Sequence, residues 1–366
     1  MSNEYKPLTD EQVKAIALDY YGKRAGKTEA QDEPRMVLVG GQPGAGKSEA
    51  SALAKTELRE QGGYIHVDAD RMRERIPLGD SKPTSEQTQK DASHLVTELR
   101  GLAVANRRNI LEEGTFRQPH DAERFVAGKQ AQGYKVEMLA VATPREQSLL
   151  GIYNRHELQH EQKAENPRMV PEKYHDEAMQ GFESTLAKAG ATLDRTRVID
   201  RGGNVLFDSQ TNQRSNVLEA LAEGRKLTDA KLKDTAAVWA ETREMAAQRN
   251  APASYQATLK EHHERIEAMQ KDRIHGHAMK QLDTNAATLT KDPRYTQHTG
   301  AELAKAAYFR GFHEKASEFK GIAPDFTKYD ATASNRQTLK QLPDVTELEG
   351  RAVQRTQQRS SDGHSL

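Results

Sequence analysis

Along the first two hundred residues, short apolar runs alternate with longer stretches whose apolar positions recur every three or four residues. The runs fall at Met36 to Gly40, Tyr64 to Val67, Asn109 to Leu111, Val136 to Ala142 and Arg197 to Ile199. They are short and apolar throughout, which predicts strands buried on both faces. Between Thr84 and Arg108, Leu95, Val96, Leu99, Leu102 and Ala103 gather on one face of a helix long enough to cross back over a parallel sheet. The segment RTRVIDRGGNVLFDS reads as two strands joined by a Gly202-Gly203 turn. After about Asn212 the strand signal stops. From Val217 onward the stripes Leu232, Ala236, Trp239 and, later, Leu303, Ala307, Phe312, Ala316, Phe319 predict amphipathic helices of a separate module.

Composition narrows this α/β expectation. The 54 basic and 54 acidic residues among 366 leave no net charge to draw the chain to nucleic acid or a membrane surface, so a ligand has to be recognised locally. Without cysteine there is no disulfide framework and no thiol nucleophile, a composition suited to a reducing cytosol. No apolar run approaches the ~18 residues of a membrane span, and MSNEYKPLTDEQ lacks the blocks of a signal peptide. A mean hydropathy of -0.88 predicts that only part of the chain builds a compact core. The ends, residues 1 to about 8 and 350 to 366, are expected to be disordered.

The strongest chemical signal is MVLVGGQPGAGKSEASALAKTEL, where a strand passes into a helix through Gly41, Gln42, Pro43, Gly44, Ala45, Gly46, Lys47, Ser48 and Glu49. The glycines let backbone N–H groups close around a polyphosphate, Lys47 reaches its outer oxygens, and Ser48 offers a hydroxyl to Mg²⁺. These residues are expected to bind ATP or GTP. Downstream, the second strand ends in YIHVDADRMRERIP, with Asp68 and Asp70 at the carboxyl edge where such sheets gather ligands. Asp70 lies further out, placed either to take the proton of an attacking alcohol or to cap the next helix; for Asp68 capping is the main reading. Alternation along the strand puts both on one side. The third strand ends in NILEEGTFRQP. Its Glu113, Thr115 and Arg117 suit substrate binding, with Mg²⁺ support the other reading for Glu113, since no ordinary Walker B aspartate is present. Arg155 and Arg168, thirteen residues apart around Pro167 and Pro171, are either a solvated pair or two arms of a lid that neutralises a transferring phosphoryl group.

In series, GGQPGAGKS, VDADRMRERIP, ILEEGTFR, VATPREQSLLGIYNRHE, NPRMVPEKYHD and VIDRGGNVLFDS resemble the zeta toxin family, P-loop kinases of bacterial toxin-antitoxin systems that phosphorylate UDP-N-acetylglucosamine. The resemblance covers roughly residues 33 to 222. It implies a P-loop kinase with a mainly parallel sheet flanked by helices, to which this chain adds a C-terminal all-α region. It also implies Mg²⁺ with ATP as phosphate donor: Lys47 and Ser48 for ATP and Mg²⁺, Asp70 as base, Glu113, Thr115 and Arg117 for a UDP-sugar acceptor, and Arg155 with Arg168 for the γ-phosphate. An antitoxin, or helices in cis that block the nucleotide site, would silence such an enzyme. Two departures from the family pattern, Arg168-Met169-Val170-Pro171 and Met72, bear on the acceptor rather than the phosphoryl chemistry. The chain thus divides into a helical segment 1–32, a kinase domain 33–222, a helical accessory region 223–349 and a basic tail 350–366. The accessory region is expected to be dispensable for catalysis and to serve regulation, partner docking or delivery. The alternatives are a kinase of another small acceptor, such as an antibiotic or dinucleotide, and a nucleotide-gated helical interaction protein.

Two weaker clusters complete the reading. Glu261-His262-His263-Glu264 and His275-Gly276-His277 have metal-ligand residue types but no histidine pair at helical spacing, which favours a solvated helix face. Arg351, Arg355 and Arg359 make a positively charged tail, ordinarily disordered, that resembles signals by which type IV secretion machines choose effectors.

Overall fold

A computed structural model of the chain describes residues 5–78, 81, 83–84, 86–164, 167–211 and 216–289, with side chains as far as Arg273. In chain order the elements are α1 (Asp10–Ala25), β1 (Arg35–Gly40), α2 (Lys47–Glu60), β2 (Ile65–Asp68), α3 (Ala69–Arg73), α4 (Gln89–Ala105), β3 (Ile110–Gly114) and α5 (Pro119–Ala131). There follow β4 (Lys135–Ala142), α6 (Arg145–Glu161), α7 (Glu172–Ala189), β5 (Arg195–Asp200), β6 (Val205–Asp208), α8 (Val217–Gly224), α9 (Asp229–Gln248) and α10 (Ala253–Leu289). The chain divides into two compact units, Met1–His263 and Glu264–Leu366. The sheet and the site lie in the first. The 303–319 stripe and the basic tail fall outside the described residues.

Six strands form one sheet in the order β2-β3-β1-β4-β5-β6. The first five run parallel, and β6 returns antiparallel to β5 across the Gly202-Gly203 turn. Strand period two splits the central residues between two cores. Met36, Leu38, Ile110 and Met138 join the helices on one face, while Val37, Val39, Leu111, Leu139 and Val141 meet Ala50, Ala54 and Leu58 of α2 on the other. Burial on both faces explains why these strands are uninterrupted apolar runs. In α4, Leu95, Leu99 and Ala103 are fully buried, each leucine contributing about 1.5–3 kcal/mol relative to exposure. The chain passes from β1 to β2 and β3 on one side and then crosses to β4 on the other, so the strand order switches beside β1, and the loop after β1 opens into the resulting crevice.

Three expectations are corrected. Residues 5–8 are not loose: Tyr5 Oη donates to the buried Asp91 carboxylate and the Leu8 N–H reaches the same oxygen at 3.1 Å, since a buried carboxylate demands donors. The α4 helix starts at Gln89 rather than Thr84, because Thr84 and Gln87 bond reciprocally, side chain to backbone, in a turn of their own. His262 and His263 are not a solvated face. The ring of His262 stacks on Trp239, with centroids 5.1 Å apart, and His263 Nδ1 lies 2.7 Å from Arg243. The side chains of His275 and His277 lie outside the described residues. Met72 is wholly buried in the core, so its departure from the family pattern concerns packing.

Candidate active site

The loop after β1 is shaped by backbone that only glycine adopts readily. Gly44 has φ +73, and a Cβ there would lie 2.0 Å from the Ser148 carbonyl oxygen; Gly46, at φ +85, heads α2 with no side-chain cap. The first N–H groups of α2 are therefore left open at the positive end of the helix, an anion site by construction. Lys47 Nζ bends back to the carbonyls of Gly41 at 3.0 Å and Gln42 at 3.2 Å, inside the loop. Burial pushes its ammonium down to about 8, against the opposing pull of Glu113. Gly41 and Ala45 are buried, Pro43 is partly covered, and Ser48 and Glu49 are exposed on the first turn of α2.

Gln42 has no exposure. Its Nε2 donates to Thr143 O at 2.9 Å and Ser148 Oγ at 3.2 Å. Ser148 Oγ lies 2.7 Å from His175 Nε2, whose Nδ1 is 2.9 Å from Asp176 Oδ1, and Arg145 holds Asp176 with two bonds of 2.8 and 2.7 Å. Burial keeps the His175 imidazole below its ordinary value although Asp176 pulls the other way. Serine, histidine and aspartate line up as in a hydrolytic triad, yet Ser148 and His175 are wholly buried, so no substrate reaches the hydroxyl. The relay ties the phosphate loop to α6 and α7. From the β5–β6 turn, Arg201 adds bonds to Gly44 O at 2.9 Å and Gln147 O at 3.2 Å.

The strand β2 ends at Asp68, whose Oδ1 accepts from the N–H groups of Asp70 at 2.7 Å and Arg71 at 3.1 Å. Capping is thus Asp68's part, and it turns the chain into α3, so Asp70 sits on a helix rather than alternating along the strand. The Asp70 carboxylate, half exposed, pairs with Arg73 at 2.7 Å and with Arg168. Burial would raise its pKa, but the two arginines outweigh burial and hold it below the usual carboxylate range. Beside Asp68 in register, Glu113 meets His66 Nε2 at 2.8 Å and Lys55 at 4.0 Å. Burial again opposes ionisation, and His66, Ser51 and Lys55 again prevail.

Arg155 projects from α6 and Arg168 from the segment before α7, where the Arg168 N–H is tied to Gln159 Oε1 at 2.6 Å. Neither Nε has a hydrogen-bond partner among the described residues. Burial and then the charge of Arg168 lower the Arg155 pKa, with Asp70 opposing. Glu113, Arg155, Asp70 and Asp68 all act on the Lys47 ammonium, and Arg168 and Asp70 act on Arg155, so the fold does bring these sequence-predicted residues together. Thr115 and Arg117 stand apart from Lys47 and Asp70 in the lining of a cavity of about 530 Å³, together with Phe116, Arg100 and Tyr174. There the Arg117 guanidinium lies 4.2 Å from the Tyr174 ring centre, and Phe116 is held at φ +42 by a 2.6 Å bond from Thr185 to its carbonyl.

Hard oxygen donors suit Mg²⁺. The exposed Ser48 hydroxyl and the carboxylates of Asp68 and Glu113 fit it; His66, whose ring nitrogen lies within 4.8 Å of both carboxylates, is a softer neighbour. His66, Arg145, Ser148, His175, Asp176 and Arg201 were not singled out from the sequence. Only His66 carried a signal, lying two positions before Asp68 on the same strand and so on the same face.

A parallel sheet with a phosphate loop after its β1 strand, carboxylates closing β2 and β3, and helices on both faces defines a P-loop kinase fold. The family model for the zeta toxin matches residues 19–212, and the chain belongs to that family. Toxin PezT of Streptococcus pneumoniae serotype 4 is 27% identical over 232 residues, covering 60% of this chain and 90% of that protein. Toxin zeta of Enterococcus hirae is 28% identical over 219 residues, 56% of this chain and 75% of that protein. Among solved structures, a chain of the PezAT chromosomal toxin-antitoxin system of Streptococcus pneumoniae superposes with a TM-score of 0.58 at 22% identity. The match covers 67% of this chain and 100% of that one, a likeness of fold.

Proposed function

We propose that residues 33–222 transfer the γ-phosphoryl group of ATP to a hydroxyl of UDP-N-acetylglucosamine or a related nucleotide sugar, and that the chain acts in this way as a bacterial toxin. The observation that carries this reading is the convergence of Lys47, Asp70, Arg155 and Arg168 on the open N-terminus of α2. The triphosphate lies along the loop N–H groups with Lys47 at its outer oxygens. Ser48, with Asp68 behind it, would hold Mg²⁺, which would supply charge neutralisation at the triphosphate oxygens. The acceptor oxygen bonds to the γ-phosphorus as the bond to the ADP oxygen breaks, and the acceptor proton passes to an Asp70 oxygen. For this Arg168 has to exchange its pairing with Asp70 for the γ-phosphoryl oxygens, where it and Arg155 neutralise the charge of a loose transition state. Glu113, Thr115 and Arg117 bind the acceptor, and the Arg117–Tyr174 wall of the cavity suits a planar, anionic nucleotide sugar.

The enzyme would work in the bacterial cytoplasm, with the basic C-terminal tail as its signal for translocation. A separate antitoxin chain is the partner we favour over inhibition by the N-terminal helix in cis, because α1 is committed to α4 and β2. No described helix is long and apolar enough to cross a membrane. Incubating the chain with ATP and a panel of nucleotide sugars, antibiotics and dinucleotides, read by mass, tests the reading. One phosphoryl group gained by UDP-N-acetylglucosamine supports it; gain by another small acceptor reassigns the substrate; nucleotide binding with no transfer to any acceptor favours a nucleotide-gated interaction protein.

A further inference from the structure

The face of α6 turned away from the phosphate loop is engaged by helices that follow the sheet in sequence. The α9 helix packs along α6, and Asn154 Nδ2 reaches Thr242 Oγ1 at 3.1 Å. Glu157, a side chain with no exposure, is held by Arg249 through two bonds of 2.6 and 2.8 Å. At the first residue of α7, Glu172 Oε1 accepts from Tyr153 at 3.1 Å and lies 2.7 Å from His262 Nε2. That imidazole is fixed in turn against Trp239, which is buried and packs on Tyr153. The tied residues flank the lid arginines: Asn154 and Glu157 bracket Arg155 within one turn of α6, and Glu172, the first residue of α7, follows Arg168 by four positions.

We propose that α9 and the first turns of α10 brace the lid, with Trp239, Thr242, Arg249 and His262 as positioning residues that fix Arg155 and Arg168 over the phosphate site. This rests on the kinase reading above for its catalytic readout and replaces the dispensability expected of residues 223–349. Long arginine side chains lose much rotameric freedom when held in one geometry, and an ångström of misplacement at a transferring phosphoryl group is costly in rate. A second pair of helices tied to both arms of the lid offsets that loss before the nucleotide arrives.

The test uses the full-length chain and two variants remote from the phosphates, His262→Ala and Thr242→Val, with His262→Gln to restore a donor to Glu172. Hydrogen exchange over residues 159–172 is expected to quicken in the first two and to return towards wild type in His262→Gln. Transfer from ATP to UDP-N-acetylglucosamine should lose on the order of tenfold or more in kcat, with less than about threefold change in the KM for ATP. Unchanged exchange and unchanged kcat in folded His262→Ala and Thr242→Val overturn the brace. Should His262→Ala fail to fold, Thr242→Val carries the same test, since it removes one hydroxyl and keeps the volume of the side chain. If the wild type transfers nothing to any acceptor of the panel, the kinase reading fails instead, and exchange over 159–172 still decides the brace.

Discussion

The phosphate loop and the lid are two cationic walls of one site, built by opposite means. The loop is local. Its glycines set their own backbone, its lysine closes on carbonyls five and six residues away, and α2 begins at Gly46 with its first N–H groups uncapped, even though Gln42 and Arg201 tie the loop to its surroundings. The lid is assembled from a distance. Arg155 and Arg168 meet Asp70 from α3, and the residues beside them are held by partners some ninety positions along the chain at Thr242, Arg249 and His262. A site of this kind can be recognised from one wall while the quality of its geometry is set by the other.

The largest effect should come from breaking the local wall. Lys47→Ala removes the one ammonium inside the loop and is expected to lower phosphoryl transfer by about 10³-fold or more while leaving the sheet folded. Circular dichroism and a radiolabel transfer assay measure both parts. Transfer at the wild-type rate would sink the kinase assignment. Next, Asp70→Asn should reduce kcat by roughly 10²- to 10⁴-fold as expected for a lost general base, with ATP still bound. Collapse of ATP affinity with normal turnover of the residual complex would make Asp70 a structural partner of Arg73 and Arg168 instead.

How much could be read beforehand follows the same division. The strand runs were legible because burial on both faces leaves an unbroken apolar signature, and the loop because its chemistry occupies nine consecutive residues. The resemblance to a known family, not spacing, brought Arg155 and Arg168 to the site. Gln42 was legible as part of the loop but not as a buried strut to Thr143 and Ser148, since the His175–Asp176 relay that completes it lies far along the chain. His262 read as a solvated residue for a related reason: its neighbours Trp239 and Glu172 come from two other helices, which no helical period reveals.

On the distant wall, Arg155→Ala and Arg168→Ala should each cost about 10²-fold in kcat and change the KM for ATP much less, because charge builds on the γ-phosphoryl group only as the bond to ADP loosens. Steady-state kinetics over ATP concentration separates the two parameters. A change confined to KM would place the arginines in ground-state binding. Arg168→Ala should in addition free the Asp70 carboxylate of the unliganded enzyme from one of the two cations that hold its pKa down, so the acidic limb of the kcat/KM profile should move to higher pH than in the wild type. An unmoved limb would mean that Arg73 alone, and not Arg168, holds the Asp70 carboxylate down in the free enzyme.

The smallest effect concerns protonation of the loop itself. With Lys47 pushed down to about 8 by burial, the free protein carries the ammonium below that pH and loses it above. A triphosphate binds the charged form and raises its pKa, so affinity for ATP should be flat up to about pH 8 and then fall by no more than about tenfold per unit. The fall should level off once the pH passes the pKa of the complex. Calorimetry in buffers of different ionisation enthalpy should register proton uptake on binding at pH 9 and none attributable to Lys47 at pH 7. Lys47→Met binds more weakly throughout and should show neither the slope nor the uptake. A wild-type profile flat to pH 10 would mean that the ammonium stays charged in the free loop, and the two carbonyls that hold it would then count for more than its burial.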